Sequence, residues 1–557
     1  MKFKFLPPFI LLALLTLFAN FSFAQVQSNV HERTFDVQHY IIHSSFDRPN
    51  RTFFGDVTIE LKPLKDNFRQ IELDATGMKF DFIRLEPAGT NLQYTQTGEK
   101  LFIALDKDYS PNDVISVHFK YSSKPKKGVY FVDFDAGRPA QTWTQGEAEE
   151  AHYWFPCYDF PDDKATTEQF ITAPPGEIAI ANGELLDTID NADGTKTFHY
   201  KMPVVHSTYL TSFVVGKYSK VEDKYKDVPL GYYMYPGIEN TARKIYGRTP
   251  DMIQVYEQLT GVNFPYNKYD QTMVANFQFG GMENITATTM ADTELFFTPP
   301  ENVIDLVSHE LAHSWFGDLV TCKNWSNLWL NEGFATYMEA AYREKTFGRA
   351  DYLRQISEDA ARAMAFDSVG QSHALLRPNP PTDDSLFDTT TYQKGGAVIH
   401  TLRETVGAEN FWRAINNYLN AHKFANVESA DLKKAMEEAS GKDLSVFFDQ
   451  WVYKAGFPRL SVKQIYNPQT KRLSLNIAQT QTGANVPTVF VMPFDVEIAT
   501  ADGMKNETLE IKNRVQSFTI QIDGKPSKLN FDKDEKIPLK LIKLLPSATQ
   551  RTTKSKK

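Results

Sequence analysis

The residues whose types and spacing point most clearly to chemistry are His309-Glu310-Leu311-Ala312-His313, near the middle of the chain. Histidines at positions i and i+4 project from one face of a helix, so both imidazoles can bind a single metal ion. Glu310, between them, lies where it can accept a proton from a water molecule beside that metal. The pattern is typical of zinc sites and predicts one Zn²⁺ per chain, with Glu310 as general base.

A zinc site of this kind needs a third protein ligand, and the candidate is Glu332 in Asn331-Glu332-Gly333-Phe334-Ala335. A helix over about 327–345, antiparallel to the helix of the histidines, would bring this carboxylate to the metal. Gly333 is expected to let these two helices approach closely. Glu339, two turns further on, could support a histidine from behind, but we interpret it as a surface acid.

The elements around this motif divide the 557-residue chain into three folded regions, because so long a chain exceeds a single core. Residues 25–237 contain short alternating segments separated by turn residues, which predicts an all-β domain. Residues 238–458 are expected to be mostly helical, and alternation returns in a small β domain over 459–543. The predicted fold class is therefore multidomain α+β. The helix candidates that surround the motif cover 302–316, 327–345, 352–365, 395–406 and 410–421.

Charge and the two ends of the chain narrow the class of partner and the compartment. The formal net charge is −9 and no basic run occurs outside the last residues, so nucleic acid is not an expected partner. Lys2 and Lys4, the apolar stretch 5–18 and Ala24 predict a signal peptide over 1–24. A periplasmic or secreted protein without a stable membrane anchor is expected, the alternative being an uncleaved anchor. The basic tail 544–557 is expected to be disordered.

Several motifs resemble one family. The zinc motif, followed at this distance by Asn331-Glu332-Gly333-Phe334, resembles the aminopeptidase N family of zinc peptidases, which includes the leukotriene hydrolases. Gly280-Gly281-Met282-Glu283-Asn284 is similar to that family's exopeptidase loop. Thr144-Gln145-Gly146-Glu147-Ala148-Glu149 resembles a stretch of its N-terminal β domain, and Tyr392-Gln393-Lys394-Gly395 resembles the segment with its catalytic tyrosine.

The resemblance implies a thermolysin-like catalytic domain and a role for each matching residue. His309, His313 and Glu332 would bind zinc, and Tyr392 would donate a hydrogen bond to the tetrahedral oxyanion. Glu147 and Glu283 would anchor the α-ammonium group, so the expected substrates are peptides with a free N-terminus. The loop from Gly280 to Asn284 would lie along the substrate, where a side chain at its glycines would clash.

Two other functions stay open at this point. The first is a zinc epoxide hydrolase of the leukotriene hydrolase type, whose loop has the Gly280-Gly281 form. The second is a peptide-binding protein with an inactive site, which would need neither Glu310 nor Tyr392. Many family members continue into a large helical domain that closes over the cleft, so a more open cleft is expected here. The preferred N-terminal residue, the oligomeric state and the pairing of Cys157 with Cys322 are left open.

Overall fold

A computed structural model describes residues 32–135 and 137–546, which form three domains. The expected multidomain α+β class is confirmed, with an all-β domain, a helical catalytic region and a β-rich domain in that order. The predicted signal peptide, and residues 547–557 of the predicted tail, lie outside the described residues.

The N-terminal domain consists of β-sheets whose strands alternate between buried and partly exposed side chains, as in Ala165–Ala173. Its strands are β1 (Phe35–Asp47), β2 (Thr52–Pro63), β3 (Phe68–Asp74), β4 (Met78–Glu86), β5 (Thr90–Asn91), β6 (Gln93–Thr97), β7 (Lys100–Tyr109), β8 (Ile115–Ser123), β9 (Val129–Val132), β10 (Gln141–Thr144), β11 (Ala165–Ala173), β12 (Ile178–Ala181), β13 (Glu184–Asp190), β14 (Lys196–His206) and β15 (Phe213–Gly216). An eight-stranded sheet has the order β13-β14-β11-β1-β2-β8-β4-β5. Smaller sheets have the orders β3-β7-β6 and β12-β15-β10-β9.

The catalytic domain contains strands as well as helices. Its strands are β16 (Ser219–Tyr225), β17 (Val228–Met234), β18 (Tyr269–Val274), β19 (Gly281–Met282), β20 (Ala287–Ala291), β21 (Val320–Cys322) and β22 (Ala425–Val427). The first five form one sheet in the order β16-β17-β18-β20-β19, and β21 pairs with β22. Strand β17, which ends before the predicted boundary at 237, pairs in parallel with β18, which follows it.

Helices cover this sheet and hold the zinc motif. They are α1 (Ala242–Tyr246), α2 (Thr249–Thr260), α3 (Asp292–Phe297), α4 (Pro300–Ala312), α5 (Trp329–Phe347), α6 (Arg349–Phe366), α7 (Gly395–Val406), α8 (Ala408–Ala421), α9 (Ser429–Ser440) and α10 (Ser445–Trp451). All five helices expected around the motif are present, but the one predicted over 302–316 ends at Ala312. Helix α5 ends before Gly348, which has a φ of 94°. Residues with a side chain rarely adopt this backbone conformation.

The C-terminal domain contains two sheets, one mixed and one antiparallel. Its strands are β23 (Arg459–Asn467), β24 (Arg472–Gln479), β25 (Met492–Thr500), β26 (Gly503–Ile511), β27 (Val515–Gln521), β28 (Pro526–Phe531) and β29 (Leu541–Leu545). The sheet orders are β27-β24-β23-β29, in which β29 alone pairs in parallel, and β26-β25-β28. The predicted end at 543 is two residues short, because Leu544 and Leu545 pair with Val462 and Lys463.

The two cysteines and the lengths of the helices bear on expectations drawn from the sequence. Cys157 and Cys322 are both buried and free, so they do not form a disulfide. Over the described ranges, no helix combines the length and the apolar character that crossing a bilayer requires.

Candidate metal centre and active site

Helices α4 and α5 bring the three predicted zinc ligands together. His309 lies in the last turn of α4, and His313 follows its end with dihedral angles that are still helical (φ −58°, ψ −24°). The Nε2 atoms of His309 and His313 lie 3.2 and 3.4 Å from the same oxygen, Glu332 Oε2. Burial opposes ionisation of Glu332, but the two histidines together lower its pKa to about 2.

Each histidine ring is oriented through its other nitrogen. His309 Nδ1 donates to Glu339 Oε1 at 2.7 Å, and His313 Nδ1 donates to the carbonyl of Phe316 at 2.9 Å. Both Nε2 lone pairs therefore point toward Glu332, the arrangement that metal-binding histidines need. Two imidazole nitrogens and a carboxylate oxygen, all within 4.8 Å of one another, fit a zinc ion with an open fourth position.

The interpretation of Glu339 as a surface acid is wrong. Only 14% of its side-chain surface is exposed, and it supports His309. Glu339 lies seven residues after Glu332, so both carboxylates extend from one face of α5 toward α4. The seven-residue spacing, visible in the sequence, could have indicated that Glu339 faces the same helix as Glu332.

The turn after α4 depends on a glycine. Gly317 has a φ of 138°, and a Cβ placed there would lie 3.0 Å from His313 Nδ1. The N–H of Asp318 donates to the carbonyl of His313 at 2.9 Å, which closes the turn. The chain thus reverses immediately behind His313 and places the Phe316 carbonyl against its ring.

Gly333 permits a close approach, but not the one predicted between the two zinc-binding helices. A Cβ at Gly333 would lie 3.0 Å from the Cα of Gly395, at the start of α7. Backbone contact between α5 and α7 brings Glu332 near the segment just before α7, which contains Tyr392. The sequence does not reveal which helix packs against Gly333, so the predicted partner was the other zinc-binding helix, α4.

Glu310 lies against the backbone of the Gly280-Gly281 loop. A Cβ at Gly281 would lie 2.3 Å from Glu310 Oε1, and a Cβ at Gly280 would lie 2.9 Å from a methyl carbon of Leu306. The contacts that restrict both positions are thus with the protein itself, whereas the sequence suggested the substrate. Burial raises the pKa of Glu310 to about 8, although the neighbouring His309 and His313 act in the opposite direction.

Tyr392 lies over the first histidine. Its ring stacks on His309 with 5.8 Å between centroids and 15° between planes. The turn that presents it is held by Asp388, whose Oδ1 accepts the backbone N–H groups of Thr390 and Thr391 at 2.9 and 3.1 Å. Burial and the surrounding carboxylates raise the pKa of Tyr392 well above 10, so its hydroxyl keeps the proton that it could donate.

Glu147 and Glu283, which we call the carboxylate pair, come from different domains and meet beside the metal ligands. They are 8% and 4% exposed, and the Oε1 atom of each has no hydrogen-bond partner among the described residues. One oxygen from each lies within 4.8 Å of a Glu332 oxygen. Burial raises the pKa of both groups, and repulsion by Glu283 raises that of Glu147 further. Such a pair favours a bound cation.

Contacts between the two domains fix the position of the carboxylate pair. Trp143 Nε1 donates to the carbonyl of Ala275 at 3.1 Å, just before the Gly280-Gly281 loop. Trp325 Nε1 donates to Glu149 Oε1 at 2.7 Å, two residues after Glu147. The N-terminal domain is therefore anchored on both sides of the residue that it contributes to the site.

One cavity of about 400 Å³ collects nearly all of the predicted site residues. Its lining includes Glu147, Gly280, Gly281, Met282, Glu283, His309, Glu310, His313, Glu332 and Tyr392. Asn284 is not part of the lining, because its side chain is buried behind the loop and donates to Thr289 Oγ1 at 3.0 Å.

The lining also contains residues to which the sequence argument gave no role. They are Gln145, Phe279, Leu306, Thr336, Phe387 and Gln393, and Glu339 lines the cavity as well. Gln145 belongs to the motif Thr144–Glu149, and its side-chain amide donates a hydrogen bond to Met282 Sδ at 3.2 Å. Gln145 lies within one motif and Phe279 directly precedes another, so their positions in the sequence could have indicated that they line the site. No sequence pattern indicated Leu306 or Thr336.

The chain belongs to peptidase family M1. Residues 36–210 match the peptidase M1 N-terminal domain, and residues 245–451 match the peptidase family M1 domain. Residues 455–545 match a TAF2 Ig-like domain. The family resemblance predicted from the motifs is confirmed.

Named relatives agree with this assignment. The chain is 26% identical to aminopeptidase 2 of Candida albicans over 502 residues, which are 87% of this chain and 54% of the relative. It is 27% identical to a probable aminopeptidase 2 of Sulfurisphaera tokodaii over 511 residues, 89% of this chain and 63% of the relative. It is 32% identical to glutamyl aminopeptidase of Bos taurus over 348 residues, 60% and 36% of the two chains. The chain spans about half the length of the curated relatives it matches.

Proposed function

We propose that this chain is a zinc aminopeptidase, which hydrolyses the bond after the first residue of peptides with a free N-terminus. The observation that supports exopeptidase action is the carboxylate pair beside the zinc motif, because the Oε1 atom of each glutamate is buried without a hydrogen bond from the part of the chain that the structure describes. A buried carboxylate without a partner is unfavourable, and a substrate ammonium group supplies the missing charge and donors. Names of relatives as aminopeptidases point the same way.

His309, His313 and Glu332 would hold the zinc ion. When bound there, zinc supplies Lewis acidity, which polarises the scissile carbonyl and lowers the pKa of the attacking water. Glu310 accepts a proton from that water and returns it to the leaving amine, as its position between the two histidines permits. Tyr392, which stays protonated, donates a hydrogen bond to the developing oxyanion.

The carboxylate pair sets the position of cleavage. Glu147 and Glu283 hold the α-ammonium group close to the metal ligands, so only the first peptide bond reaches the attacking water. An internal segment of a peptide has a neutral amide at that point, which brings no positive charge to the two carboxylates.

Acetylation of the substrate tests this function. The free form of one peptide should be cleaved at least about a hundredfold more efficiently than its N-acetylated form, because acetylation removes the charge and adds bulk. Glu283→Ala should raise KM for the free peptide and lower kcat, since a loosely held substrate is misaligned. Equal cleavage of both forms by the wild type would make an endopeptidase the better description.

We also propose that the protein is exported, with residues 1–24 removed as a signal peptide. Support comes from Lys2 and Lys4, the apolar stretch 5–18 and the small residue Ala24. Mass spectrometry of the protein from its native host should find Gln25 at the N-terminus. Recovery of membrane-bound protein that retains Met1 would argue for an uncleaved anchor.

A further inference from the structure

A second cavity opens beside the carboxylate pair, between the N-terminal and catalytic domains. Its volume is about 280 Å³, and it shares Gln145, Glu147, Phe279 and Phe387 with the catalytic cavity. We call it the aromatic pocket. Because Glu147 belongs to both cavities, a group bound to Glu147 lies at the entrance of this pocket.

Five aromatic rings form a continuous chain along the aromatic pocket. Tyr130 stacks on Trp143 at 4.4 Å between centroids, and Trp143 contacts Phe277 edge to face at 5.3 Å. Phe277 contacts Phe279 at 6.0 Å, and Phe279 contacts Phe387 at 5.9 Å. Phe279 is nevertheless 43% exposed, so it has a hydrophobic surface that a bound apolar group would remove from water.

The aromatic pocket is lined by two lysines and three glutamates. Lys126 and Lys127 are matched by Glu149 and Glu150, which leaves Glu147 for the substrate amine. Lys127 Nζ lies 3.0 Å from Glu150 Oε1, and Glu149 accepts the hydrogen bond from the Trp325 ring. A charged side chain that entered the pocket would lose hydration without meeting a net opposite charge.

We infer that the aromatic pocket receives the side chain of the substrate's first residue and selects aromatic residues such as Phe, Tyr and Trp. This inference rests on the proposed aminopeptidase function. With the amine at Glu147 and Glu283 and the carbonyl at the zinc ligands, the α-carbon lies between them. Its side chain then enters the neighbouring cavity, where Phe279 and Phe387 form an aromatic wall. Ring-on-ring contacts favour an aromatic side chain over an aliphatic one of similar size.

Four fluorogenic substrates with one leaving group test the inference on the zinc-loaded protein. Aminoacyl coumarins of Phe, Ala, Glu and Arg should give the highest kcat/KM for Phe, at least about tenfold above Ala, because a methyl group leaves the wall uncovered. Phe279→Ala should lower the Phe-to-Ala ratio of kcat/KM about tenfold. The matched control is Phe297→Ala, which removes a phenyl group that is 83% exposed and outside both cavities, and it should leave the ratio unchanged.

The outcomes separate this inference from the proposed function. If the wild type cleaves Ala, Glu or Arg substrates best, or if Phe279→Ala keeps the ratio, the aromatic pocket is not the selective site, although aminopeptidase action stands. If no substrate is cleaved, the proposed function fails. Calorimetry with phenylalanine and alanine hydroxamates then tests the selectivity of the aromatic pocket separately. Tighter binding of the phenylalanine compound that is lost in Phe279→Ala supports the inference, and equal binding of the two compounds overturns it.

Discussion

The two halves of the active site differ in how completely the protein satisfies their polar atoms. On the metal side, each histidine donates its Nδ1 proton to a fixed acceptor, Glu339 or the Phe316 carbonyl. On the amine side, Glu147 and Glu283 are buried, and each keeps an oxygen without a hydrogen-bond partner among the described residues. The metal half, formed by the zinc ligands and their acceptors, is preorganised by the protein. The amine half, formed by the carboxylate pair, has unfilled hydrogen-bonding capacity until a cation binds.

This difference reflects what each half binds. A resident metal is held tightly when its ligands are oriented before it arrives, so orienting contacts increase affinity. A substrate amine arrives and leaves in every turnover, so its partners must be exchangeable. Buried carboxylates whose hydrogen-bonding capacity is unfilled favour an ammonium group without holding it permanently, at the expense of folding stability.

The most severe way to break the metal half is to remove a ligand. His313→Ala should abolish zinc binding and reduce peptidase activity to background, because a histidine and a glutamate remain as the only two ligands. Elemental analysis should find about one zinc per wild-type chain and none in the variant. His422→Ala, a histidine outside the catalytic cavity, is the matched control and should keep full zinc. Full zinc in His313→Ala would exclude this ligand set.

Glu310→Gln should leave both halves intact and stop the chemistry between them. The amide cannot accept the proton of the attacking water, so kcat should fall by roughly 10²–10⁴-fold with zinc content unchanged. Elemental analysis with steady-state kinetics checks both parts. Activity within about tenfold of the wild type would mean that another residue is the base.

The same comparison shows which parts of the site could be predicted from sequence. His309, His313 and Glu332 follow from helical spacing and metal chemistry, which are local properties of α4 and α5. The partner of Gly333 could not be predicted, because the contact with Gly395 joins helices that are distant in sequence. Contacts of that kind depend on packing, which the sequence pattern of one helix does not encode.

The fold shows the same limit. Strands β16 and β17 lie within the region predicted to be β-structure, but the sequence could not show that they pair with β18, which lies beyond two helices. Glu339 was misjudged for a related reason. A carboxylate on a helix usually faces solvent, and only the position of α4 makes it a partner of His309.

Glu339→Gln sharpens the comparison by weakening the metal half without removing a ligand. The neutral amide is a weaker acceptor for His309 Nδ1, so the Kd for zinc should rise by about 10–100-fold. Competition with a chelator of known affinity measures this change. Glu344→Gln, on the same helix but paired with Arg403 and Arg349, is the control and should leave the zinc Kd unchanged. An unaltered Kd in Glu339→Gln would show that its contact with His309 does not affect the metal.

The smallest effect is expected in the amine half, where a substitution should stabilise the protein. Glu147 is a buried carboxylate beside Glu283, and the pKa of both groups is raised. A carboxyl group with a raised folded-state pKa opposes folding once the pH exceeds its unfolded value of about 4.3. Glu147→Gln removes the ionisable group and should increase the free energy of unfolding at pH 7 by roughly 1–3 kcal/mol, while kcat/KM for free-amine peptides falls.

Thermal unfolding at pH 7 measures this gain, with a rise in Tm of about 2 °C or more expected for Glu147→Gln. The gain should be larger after chelation, because bound zinc offsets part of the repulsion between Glu147 and Glu283. Glu149→Gln is the matched control: that carboxylate accepts a hydrogen bond from Trp325, so its loss should not raise Tm. A lower Tm in Glu147→Gln than in the wild type would mean that Glu147 is already stabilised within the folded chain. The amine half would then be as complete as the metal half, and the contrast between them would disappear.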